Sequence, residues 1–593
     1  MSFQNDDLFQ CLIKEQGTMD ETVRFVMDKQ LKNRALWQKF TEVFETREDS
    51  EAGRWRGEYF GKQMRGAVLT YVYTQDEELY DIMTETVLSL LEKQDEYGRF
   101  STYKVEEEFR GWDIWSRKYV LVGMLYYYGI CKDEGLKAAI LSACQKHLDY
   151  ILEKVGGGEG QMAITDTSHW WGCVNSCTIL EPTVELYKLT KEPRYLDFAE
   201  YIISTGGCKD CNLIELALEA KLYPYQYPVT KAYEMMSFYE GVLAYYEVTG
   251  EEKYFHAVSR FIEAVAKTDI TIIGCAGCTH ELFDKSAAMQ TEYHENIMQE
   301  TCVTVTWMRL LRRIYHLTKD TKYVSRFEVA AYNALYGSLN TELNEQLCME
   351  NGKYVEAMAF DSYSPLYMNT RGRGIGGYNE FASGGYYGCC LAIGACGVAL
   401  VPLTAVIQDT DGVYVNWLFN GSANVTDNEG KGAVLRFESG YPTLGKGRIT
   451  VNGEGAVTLK FRKPYGYKTM TVNGTEVGDE GYYTLIANAG DCVEIELTAA
   501  LKAHHLNGKI AFTYGMLTLA ADEQKSARAL QKPVVLPENP TYRRLPCEKG
   551  ELFRAEIKLA DGDALLVTDY QSCGKKWLTD KPLMTAWFNE KES

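Results

Sequence analysis

Proline and long apolar runs are scarce in the first two thirds of this sequence. Only five of the 13 prolines of the 593-residue chain precede residue 400, and proline interrupts helices, so this part of the chain is free to be helical. No stretch of about 18 consecutive apolar residues is present, which argues against a membrane-spanning helix. Residues 1–16 lack a basic start followed by an apolar stretch, so we expect no secretion signal.

Positive charge is also in short supply. The chain has 62 Lys and Arg against 82 Asp and Glu, a formal net charge of −20, which argues against a nucleic-acid or anionic-membrane partner. Hydrophobic residues make up 46% and charged residues 24%, which is ordinary for a folded protein. The length indicates two or three domains.

Cysteine and aromatic residues, by contrast, are abundant. Without a secretion signal the 17 cysteines are expected to be reduced, as in a cytoplasmic protein, and most should be buried packing residues. The 12% aromatic content fits either a protein that stacks sugars or one with large helix interfaces.

A turn motif close to Tyr-x-x-Thr-polar-polar-x-x-Tyr repeats through the first 400 residues. Its threonine is at positions 74, 190, 249 and 318, and Cys131 replaces it in a degenerate copy, so the copies lie 57 to 69 residues apart. Each interval holds two helices, and we expect the threonine to cap the helix that follows it. The five copies imply about six helical hairpins, which could stack as an open solenoid or close into an (α/α)₆ barrel. Closure is favoured because neither end shows a polar capping repeat.

The sequence pattern changes near residue 405. Short segments of alternating polar and apolar residues follow, separated by Gly, Asn and Asp. We predict strands within 413–419, 447–453, 456–464, 468–474, 491–498, 509–515, 552–560 and 564–570, a pattern typical of an antiparallel β-sandwich. The predicted fold class is therefore multidomain α + β. The expected domains are an (α/α)₆ barrel over 1–404, a β-sandwich over 405–525, and a C-terminal β extension or small second β domain over 526–593.

Four short segments carry residues that suit chemistry. They are the vicinal pair Cys389–Cys390 in a glycine-rich loop, Glu300-Thr301-Cys302 at the start of a helix, Glu281 downstream of Cys275 and Cys278, and Cys208/Cys211. Neither Cys-x-x-Cys pair, Cys275/Cys278 or Cys208/Cys211, has a partner pair at zinc-finger spacing. A loop role is therefore the simpler interpretation of both. Three thiols and a carboxylate from the first two segments would suit Zn²⁺.

These segments, taken together, resemble a known family. The helical-then-β order, the stretches GEYFGKQMRGAVLTYVYTQDEELY and ILEPTVELYKLTKEPRYLDFAEYI, the E-T-C triplet, the C-C pair and FRKPYGYKTMTVNGTEV…GDCVEIEL resemble glycoside hydrolase family 127, the β-L-arabinofuranosidases, and the related family 146. The resemblance extends from about residue 50 to 520. The E-T-C…C-C combination is its most specific part.

The resemblance implies a retaining zinc enzyme that releases an L-arabinofuranose-like sugar from small oligosaccharides. It implies that Zn²⁺ is held by Glu300, Cys302, Cys389 and Cys390, that Cys389 is the nucleophile and that Glu281 is the acid/base. A free thiol has a pKa of about 8.5 and metal ligation deprotonates it. Glu281 would need a raised pKa to act as an acid. A homodimer through the C-terminal β domains is also implied.

The sequence departs from the family in its sugar-binding shell. LAIGACG follows the cysteine pair where a Pro-Pro-Asn-like stretch is usual, and Lys231 stands where a substrate-binding His is usual. This lysine could face the substrate and select an acidic sugar, or pair with a nearby carboxylate. Because aromatic and polar residues in rim loops hold sugars, we expect sugar contacts at Lys231, His169, Trp170, Trp112 and Tyr386.

Two other functions remain open on the sequence. A carboxylate-only carbohydrate enzyme on the same helical scaffold, such as a uronide hydrolase or an epimerase, would keep its activity after chelation and thiol alkylation. A non-catalytic sugar-binding protein clamped by zinc would bind sugar without turnover and unfold when zinc is removed.

Overall fold

The computed structural model describes residues 10–294, 298–341, 346–349, 352–356, 358–371, 375–575 and 582–591. Up to residue 405 the chain is mainly helical, as the scarcity of proline predicts. Across these ranges no helix combines the length and the apolar composition that crossing a membrane requires.

Sixteen α-helices occur among the described residues. Short π-helical segments extend the first through Met27–Leu31 and the fifteenth through Ala331–Leu335. The α-helices are α1 (Thr18–Val26), α2 (Arg34–Thr46), α3 (Glu58–Thr74), α4 (Glu77–Leu91), α5 (Asp113–Ile130), α6 (Glu134–Lys154), α7 (Val174–Cys177), α8 (Leu180–Thr190), α9 (Pro193–Ser204), α10 (Leu213–Glu219), α11 (Ala232–Thr249), α12 (Glu252–Thr268), α13 (Ser286–Met289), α14 (Thr301–Thr318), α15 (Thr321–Ala330) and α16 (Cys389–Ala405).

Six of these helices are buried over most of their length: α3, α5, α8, α11, α14 and α16. Each packs against the next in this order, and α16 packs against α3. The hairpin partners α4, α6, α9, α12 and α15 bury one stripe each, as α12 does with Tyr254, Ala257, Val258, Phe261 and Ile262. Five of these six helices, here called the inner helices, are followed by a returning outer helix, and α16 begins beside the start of α14. The amino termini of the inner helices therefore lie at one end of this ring of helix contacts.

The repeated turn follows the predicted spacing, but its threonine does not cap the next helix. Thr74 ends α3, and its Oγ1 donates to the Thr70 carbonyl at 2.9 Å. Gln75 then adopts a left-handed conformation, and Asp76 caps α4 by accepting from the Leu79 amide at 2.9 Å. The capping prediction was wrong because the threonine is still helical, which places the next residues at the cap position.

The β-rich part supplies most of the strands. In the described residues the strands are β1 (Ile13–Glu15), β2 (Gln346–Cys348), β3 (Tyr354–Glu356), β4 (Tyr378–Glu380), β5 (Tyr386–Gly388), β6 (Val406–Asp409), β7 (Gly412–Val415), β8 (Gly421–Thr426), β9 (Gly432–Ser439), β10 (Lys446–Asn452), β11 (Val457–Phe461), β12 (Tyr467–Val472), β13 (Thr475–Glu476), β14 (Tyr483–Ala487), β15 (Cys492–Ala499), β16 (Leu501–Leu506), β17 (Lys509–Tyr514), β18 (Leu517–Asp522), β19 (Tyr542–Arg544), β20 (Arg554–Lys558), β21 (Ala564–Asp569), β22 (Met584–Thr585) and β23 (Phe588–Asn589). Every predicted strand segment overlaps one of these strands.

Three sheets organise the region after residue 405. Their orders are β1-β8-β9-β10-β15-β12-β13, β14-β11-β7-β6 and β16-β17-β18-β21-β20-β19, with β22 on β18 and β23 on β17. The described strand pairings are antiparallel except for the parallel pair β7–β11. Strand β1, from the start of the chain, pairs with β8. Because β18 pairs with β21, the sequence-based boundary at residue 525 falls inside the third sheet.

Candidate active site

Four buried side chains meet at the end of the ring where the inner helices begin. The ligand atoms of Glu300, Cys302, Cys389 and Cys390 all lie within 4.8 Å of one another. Glu300 directly precedes α14 and Cys302 lies in its first turn, while Cys389 and Cys390 open α16. Glu300 and Cys389 are 89 residues apart in the chain, and they meet because α14 packs against α16.

The contacts within this group, the Cys/Glu cluster, are short. The Cys390 thiol donates to Glu300 Oε1 at 2.9 Å, and the Cys389 thiol lies 3.5 Å from the same oxygen. The other carboxylate oxygen, Glu300 Oε2, is buried without a hydrogen-bond partner among the described residues. A buried carboxylate oxygen without a partner costs free energy. Three thiols and one carboxylate are a ligand set that fits Zn²⁺, so the residues present fit the metal that the family implies.

The backbone around the cluster closes tightly over the nucleophile candidate. Gly377 has a φ of +55°, a conformation that favours glycine. A Cβ atom at this position would overlap the Cys389 Sγ. The hairpin of β4 and β5 leads directly into α16, so the first thiol of the pair is held between the hairpin and the helix.

Glu281 lies beside the cluster and is paired with Lys231. The Lys231 Nζ is 2.7 Å from Glu281 Oε2 and 4.0 Å from Glu234 Oε1. The Ala232 amide donates to the Glu281 carbonyl at 2.9 Å, which ties the loop to the start of α11. Of the two interpretations of Lys231, the structure shows the lysine paired with a carboxylate.

The charges around the two carboxyl groups shift their pKa values in opposite directions. Burial raises the pKa of Glu281, but the Lys231 ammonium and a hydrogen bond with Glu300 outweigh it, so the pKa of Glu281 is lowered. Burial and the neighbouring Glu281 charge hold the pKa of Glu300 well above its usual range. The raised pKa that we expected at Glu281 is therefore found at Glu300, because Lys231 favours the ionised form of its own partner.

Lys62 is a member of the site that the sequence analysis missed. It is fully buried on α3, pairs with Glu58 Oε1 at 2.8 Å and lies 4.0 Å from the Cys302 Sγ. The rings of Trp115 and Tyr233 surround its ammonium at 5.6 and 4.6 Å. The sequence offered one sign of this pair: Glu58 and Lys62 lie four residues apart, on one face of a helix. Charged residues are rarely buried unless they are paired.

Three of the predicted sugar contacts form one aromatic wall. The ring centroids of Trp112 and Trp170 lie 6.4 Å apart, and those of His169 and Trp170 lie 4.6 Å apart. Trp112 also packs against Trp115 at 5.7 Å, which connects the wall to the surroundings of Lys62. Tyr386 lies elsewhere, on β5, with its ring edge-on to Tyr378 at 6.0 Å.

The remaining cysteine candidates do not form a second metal-binding group. The Cys/Glu cluster is the one group of three or more potential ligands found in the described part of the chain. Cys275 is buried, with its thiol 3.6 Å from the Glu300 carbonyl, and Cys208 packs against the backbone of Gly172. Both positions agree with the loop and packing interpretation.

Known proteins resemble this chain in sequence and in fold. The family model described as the β-L-arabinofuranosidase, GH127 catalytic domain matches residues 10–366, which is 357 of the 593 residues. No curated protein matches. A solved GH127 β-arabinofuranosidase aligns with a TM-score of 0.74 and 16% identity, covering 98% of this chain and 97% of that one.

A second structure, the GH127 β-L-arabinofuranosidase from Geobacillus stearothermophilus T6, aligns with a TM-score of 0.71 and 18% identity over 98% of this chain and 100% of that one. At these identities the structures establish the fold, a helical domain followed by a β-rich region with antiparallel sheets. Because the family model spans more than half of the sequence, this chain belongs to glycoside hydrolase family 127, the family of the β-L-arabinofuranosidases.

Proposed function

We propose that this glycoside hydrolase is a retaining, zinc-dependent enzyme that releases an L-arabinofuranose-like sugar from small oligosaccharides. The observation that carries the proposal is the buried Cys/Glu cluster with Glu281 directly beside it. The cluster supplies a nucleophile, Cys389, and Glu281 supplies an acid/base. A thiol and a carboxyl group in one buried site are the two groups that retaining hydrolysis with a sulfur nucleophile needs.

We also propose that the helices close into an (α/α)₆ barrel over residues 1–404, followed by a β-sandwich over 405–525 and a β extension over 526–593. The extension shares a sheet with the preceding region, since β21 pairs with β18. The barrel is supported by the contacts of the six inner helices, which run from α3 round to α16 and back to α3. In such a barrel the amino-terminal ends of the inner helices would surround one opening. The Cys/Glu cluster would then lie at the bottom of that opening.

Glu300, Cys302, Cys389 and Cys390 would hold the zinc ion. Bound there, Zn²⁺ would keep the thiols deprotonated at neutral pH. Burial raises the pKa of Cys390 well above its usual range in the protein alone, together with the neighbouring Cys302 thiol. The pKa of Cys302 is lowered instead, through its contacts with Cys389 and Cys390 and the nearby Lys62 ammonium. The four side chains thus have the composition of a metal site.

In the first step the Cys389 sulfur attacks the anomeric carbon of the sugar. The new carbon–sulfur bond forms as the glycosidic carbon–oxygen bond breaks, and the electron pair of that bond goes to the leaving oxygen. Glu281 in its protonated form donates a proton to this oxygen, so the leaving group departs as an alcohol. Because Lys231 lowers the pKa of Glu281, this form is a smaller fraction of the enzyme than it would be without the lysine. Lys231 holds the Glu281 carboxyl in place through the 2.7 Å contact.

In the second step Glu281, now a carboxylate, takes a proton from water. The water oxygen bonds to the anomeric carbon, and the electron pair of the carbon–sulfur bond returns to Cys389. Two displacements at the same carbon retain the configuration of the sugar.

The residues around this centre are proposed to select the substrate. His169, Trp170, Trp112 and Tyr386 would contact sugar rings, because flat aromatic faces and polar edges are how proteins hold sugars. Lys231 would act through Glu281, since its ammonium is already paired. We further propose a cytoplasmic location, where thiol ligands stay reduced, and a homodimer through the C-terminal β region, as the family resemblance implies.

Hydrolysis of a set of 4-nitrophenyl glycosides, including the β-L-arabinofuranoside, tests this proposal. We expect the β-L-arabinofuranoside to be cleaved and metal analysis to find about one zinc per chain. Cys389→Ala and Glu281→Gln should lose turnover while keeping the wild-type circular dichroism. Cys396→Ala, a buried cysteine of the same helix, is the matched control and should stay active.

Each alternative outcome identifies a different function. Wild-type turnover by Cys389→Ala would remove the nucleophile assignment. Activity that survives chelation and thiol alkylation would favour the carboxylate-only enzyme. Sugar binding without cleavage of any glycoside, combined with unfolding after zinc removal, would favour the zinc-clamped binding protein.

A further inference from the structure

Lys62 reaches the Cys/Glu cluster from a different part of the ring of helices. It lies on α3, whose neighbours in the ring are α5 and α16, whereas Cys302 lies on α14, on the other side of α16. The Lys62 side chain is fully buried, and its Nζ is 4.0 Å from the Cys302 Sγ. This long side chain therefore connects two helices that α16 separates, and it ends at one sulfur of the proposed metal site.

The close packing of α3 against α5 fixes the position from which Lys62 extends. Gly61 faces the backbone of α5, and a Cβ atom at this position would lie 1.7 Å from the Tyr119 carbonyl oxygen. On α5, a Cβ atom at Gly123 would lie 2.9 Å from the Gly61 Cα. The two glycines thus allow the helix backbones to approach closely. Lys62, the next residue, is held against the aromatic rings of α5.

Glu58 holds the ammonium of Lys62 from the first turn of α3. Its Oε1 lies 2.8 Å from the Lys62 Nζ, four residues further along the helix. Its Oε2 accepts a hydrogen bond from the indole nitrogen of Trp115. Both carboxylate oxygens are therefore used, and Lys62 keeps N–H groups for other partners, since an ammonium has three.

Three aromatic rings form a cage around the same ammonium. The ring centroids of Trp115, Tyr119 and Tyr233 lie 5.6, 5.3 and 4.6 Å from the Lys62 Nζ, distances at which a ring face attracts a cation. The hydroxyl groups of Tyr119 and Tyr233 hydrogen-bond to each other, and the Trp115 ring lies edge-on to both at 5.2 Å. The cage is thus stabilised by its own contacts and keeps the ammonium in place.

The proposed metal site needs positive charge beyond that of the metal. With all four ligands ionised the cluster carries four negative charges, and Zn²⁺ supplies two positive ones. The remaining negative charge would be buried, and burying unmatched charge costs free energy. Cys389 and Cys390 contact Glu300 Oε1 and each other. Positive charge reaches the ligand set at Cys302, through Lys62.

We infer that Lys62 is a positioning residue of the proposed zinc site. Its ammonium holds the Cys302 sulfur in the ligand set and offsets part of the negative charge that the metal-loaded cluster buries. The inference rests on the zinc site of the proposed function. It gives Lys62 a role in metal affinity that is separate from its ion pair with Glu58.

Two variants separate the metal role from the ion pair. Lys62→Met keeps an unbranched side chain in the cage but removes the cation that contacts Glu58. Lys62→Met/Glu58→Gln removes both charges, and the new amide oxygen can still accept from the Trp115 indole. We expect the zinc dissociation constant, measured by competition with a chromophoric chelator, to rise about tenfold to a hundredfold in both variants. The Tm should fall in the single variant and recover in the double variant.

The matched control is Lys118→Met. Lys118 is fully buried on α5 against two rings of the same cage, with its Nζ 4.8 Å from the Trp115 centroid and 4.7 Å from that of Tyr119. This Nζ donates to Ser237 Oγ at 2.6 Å. Zinc affinity should stay within about twofold of the wild type, because the contact of Lys62 with the cluster is retained.

Cobalt substitution reports on the contact with sulfur directly. Co²⁺ binds to the same kinds of ligand as Zn²⁺, and its thiolate-to-metal charge-transfer absorption depends on the energy of the sulfur electrons. Loss of the N–H···S contact raises that energy. The band should therefore move to longer wavelength in both Lys62 variants and stay in place in Lys118→Met. A role in folding alone would not move it.

The outcomes separate this inference from the proposed function. Zinc affinity within about threefold of the wild type in the Lys62 variants, affinity that recovers with the Tm in the double variant, an unmoved cobalt band, or an equal loss in Lys118→Met would each overturn the inference alone. A wild-type protein that binds neither metal would overturn the zinc site and the inference together. Metal binding that depends on Lys62, in a protein that cleaves no glycoside, would support the inference and overturn the proposed hydrolysis.

Discussion

The ring of helices contains two groups of buried charge that are built differently. The inner ion-pair cluster joins α8, α11 and α14 and consists of Glu181, Glu185, Glu240, Glu247, Arg309 and Arg313. Each of its arginines contacts two carboxylates, Arg309 at 2.8 and 2.9 Å and Arg313 at 2.8 Å to both partners. Among the described residues the Cys/Glu cluster has no comparable cation: Lys62 is 4.0 Å from one thiol, and Lys231 is paired with Glu281.

The comparison shows how burial of charge can serve structure in one place and chemistry in another. Buried charges that lie in direct contact with opposite charges are held by the surrounding fold. Buried acidic side chains that lack a nearby cation are stabilised when a metal ion binds, and such groups often mark functional sites. The two clusters therefore predict different consequences for equally buried substitutions.

The largest expected effect is in the Cys/Glu cluster. If the proposed function is correct, Cys302→Ser should lose bound zinc and lower kcat/KM by at least about 1,000-fold, because it removes a proposed thiolate ligand next to the proposed nucleophile, Cys389. Metal analysis and the aryl glycoside assay measure the two effects. Cys396→Ser, an equally buried cysteine on α16, should retain both zinc and activity, and a matching loss there would remove the distinction between the clusters.

The next effect concerns the inner ion-pair cluster. Arg309→Met should lower the free energy of unfolding by about 3–5 kcal/mol, because it removes the cation that directly contacts the buried carboxylates of Glu181 and Glu240. Urea denaturation measures the loss, and metal analysis should still find zinc in the folded protein. Recovery of part of the stability in Arg309→Met/Glu240→Gln would support the explanation. Unchanged stability of the single variant would contradict it.

A smaller effect is expected in the pH dependence. The Lys231 ammonium lowers the pKa of Glu281 against the effect of burial. Lys231→Met should therefore raise that pKa, and the pH above which kcat/KM falls should move upward, since the acid must be protonated. Lys188→Met, which removes a lysine of the inner region paired with Glu185 and Glu247, is the control. If the high-pH fall of kcat/KM moves equally in both variants, or moves to lower pH in Lys231→Met, the assignment of Glu281 as the acid would be contradicted.

The smallest effect concerns a buried histidine outside both clusters. Burial lowers the pKa of His147 to about 3, and its Nδ1 accepts from the Phe100 amide at 3.0 Å. The unfolded chain binds the proton at an ordinary pKa of about 6.5, so stability is lost as the pH falls from about 6.5 toward 3. His147→Gln should therefore reduce the drop in Tm between about pH 6.5 and about pH 4.5. If calorimetry shows the same drop in Tm for His147→Gln as for the wild type, the buried histidine is not the source of the acid sensitivity.

Much of the fold could be predicted from local sequence patterns. The helical turns recur with the predicted spacing, and each predicted strand segment overlaps a strand, because 3.6- and 2-residue periodicities reflect backbone geometry. The role of Thr74 could not be predicted, since a threonine that ends one helix and one that caps the next look alike in sequence. The sheet that joins β18 to β21 crossed the predicted boundary because strand pairing is a long-range contact.

The candidate site was predictable by residue type more than by arrangement. Glu300, Cys302, Cys389 and Cys390 were named from their motifs, and the structure brings them together. The partner of Lys231 and the place of Lys62 were not predictable, because each depends on which side chains the packed helices bring within reach. The expectation of a raised pKa at Glu281 was wrong for the same reason, because it depended on the position of Lys231.

Local sequence patterns are sufficient to place the helices and strands in their order, because helix and strand formation depends on neighbouring residues, and the motifs identify the thiols and carboxylates. Which of those groups meet depends on how the helices pack. Glu300 and Cys389, 89 residues apart, share a site only because α14 and α16 begin at the same end of the ring. Packing also sets the ion pairs: Lys231 contacts Glu281, while Arg309 contacts Glu181 and Glu240. Burial strengthens only the charge pairs that packing brings into contact.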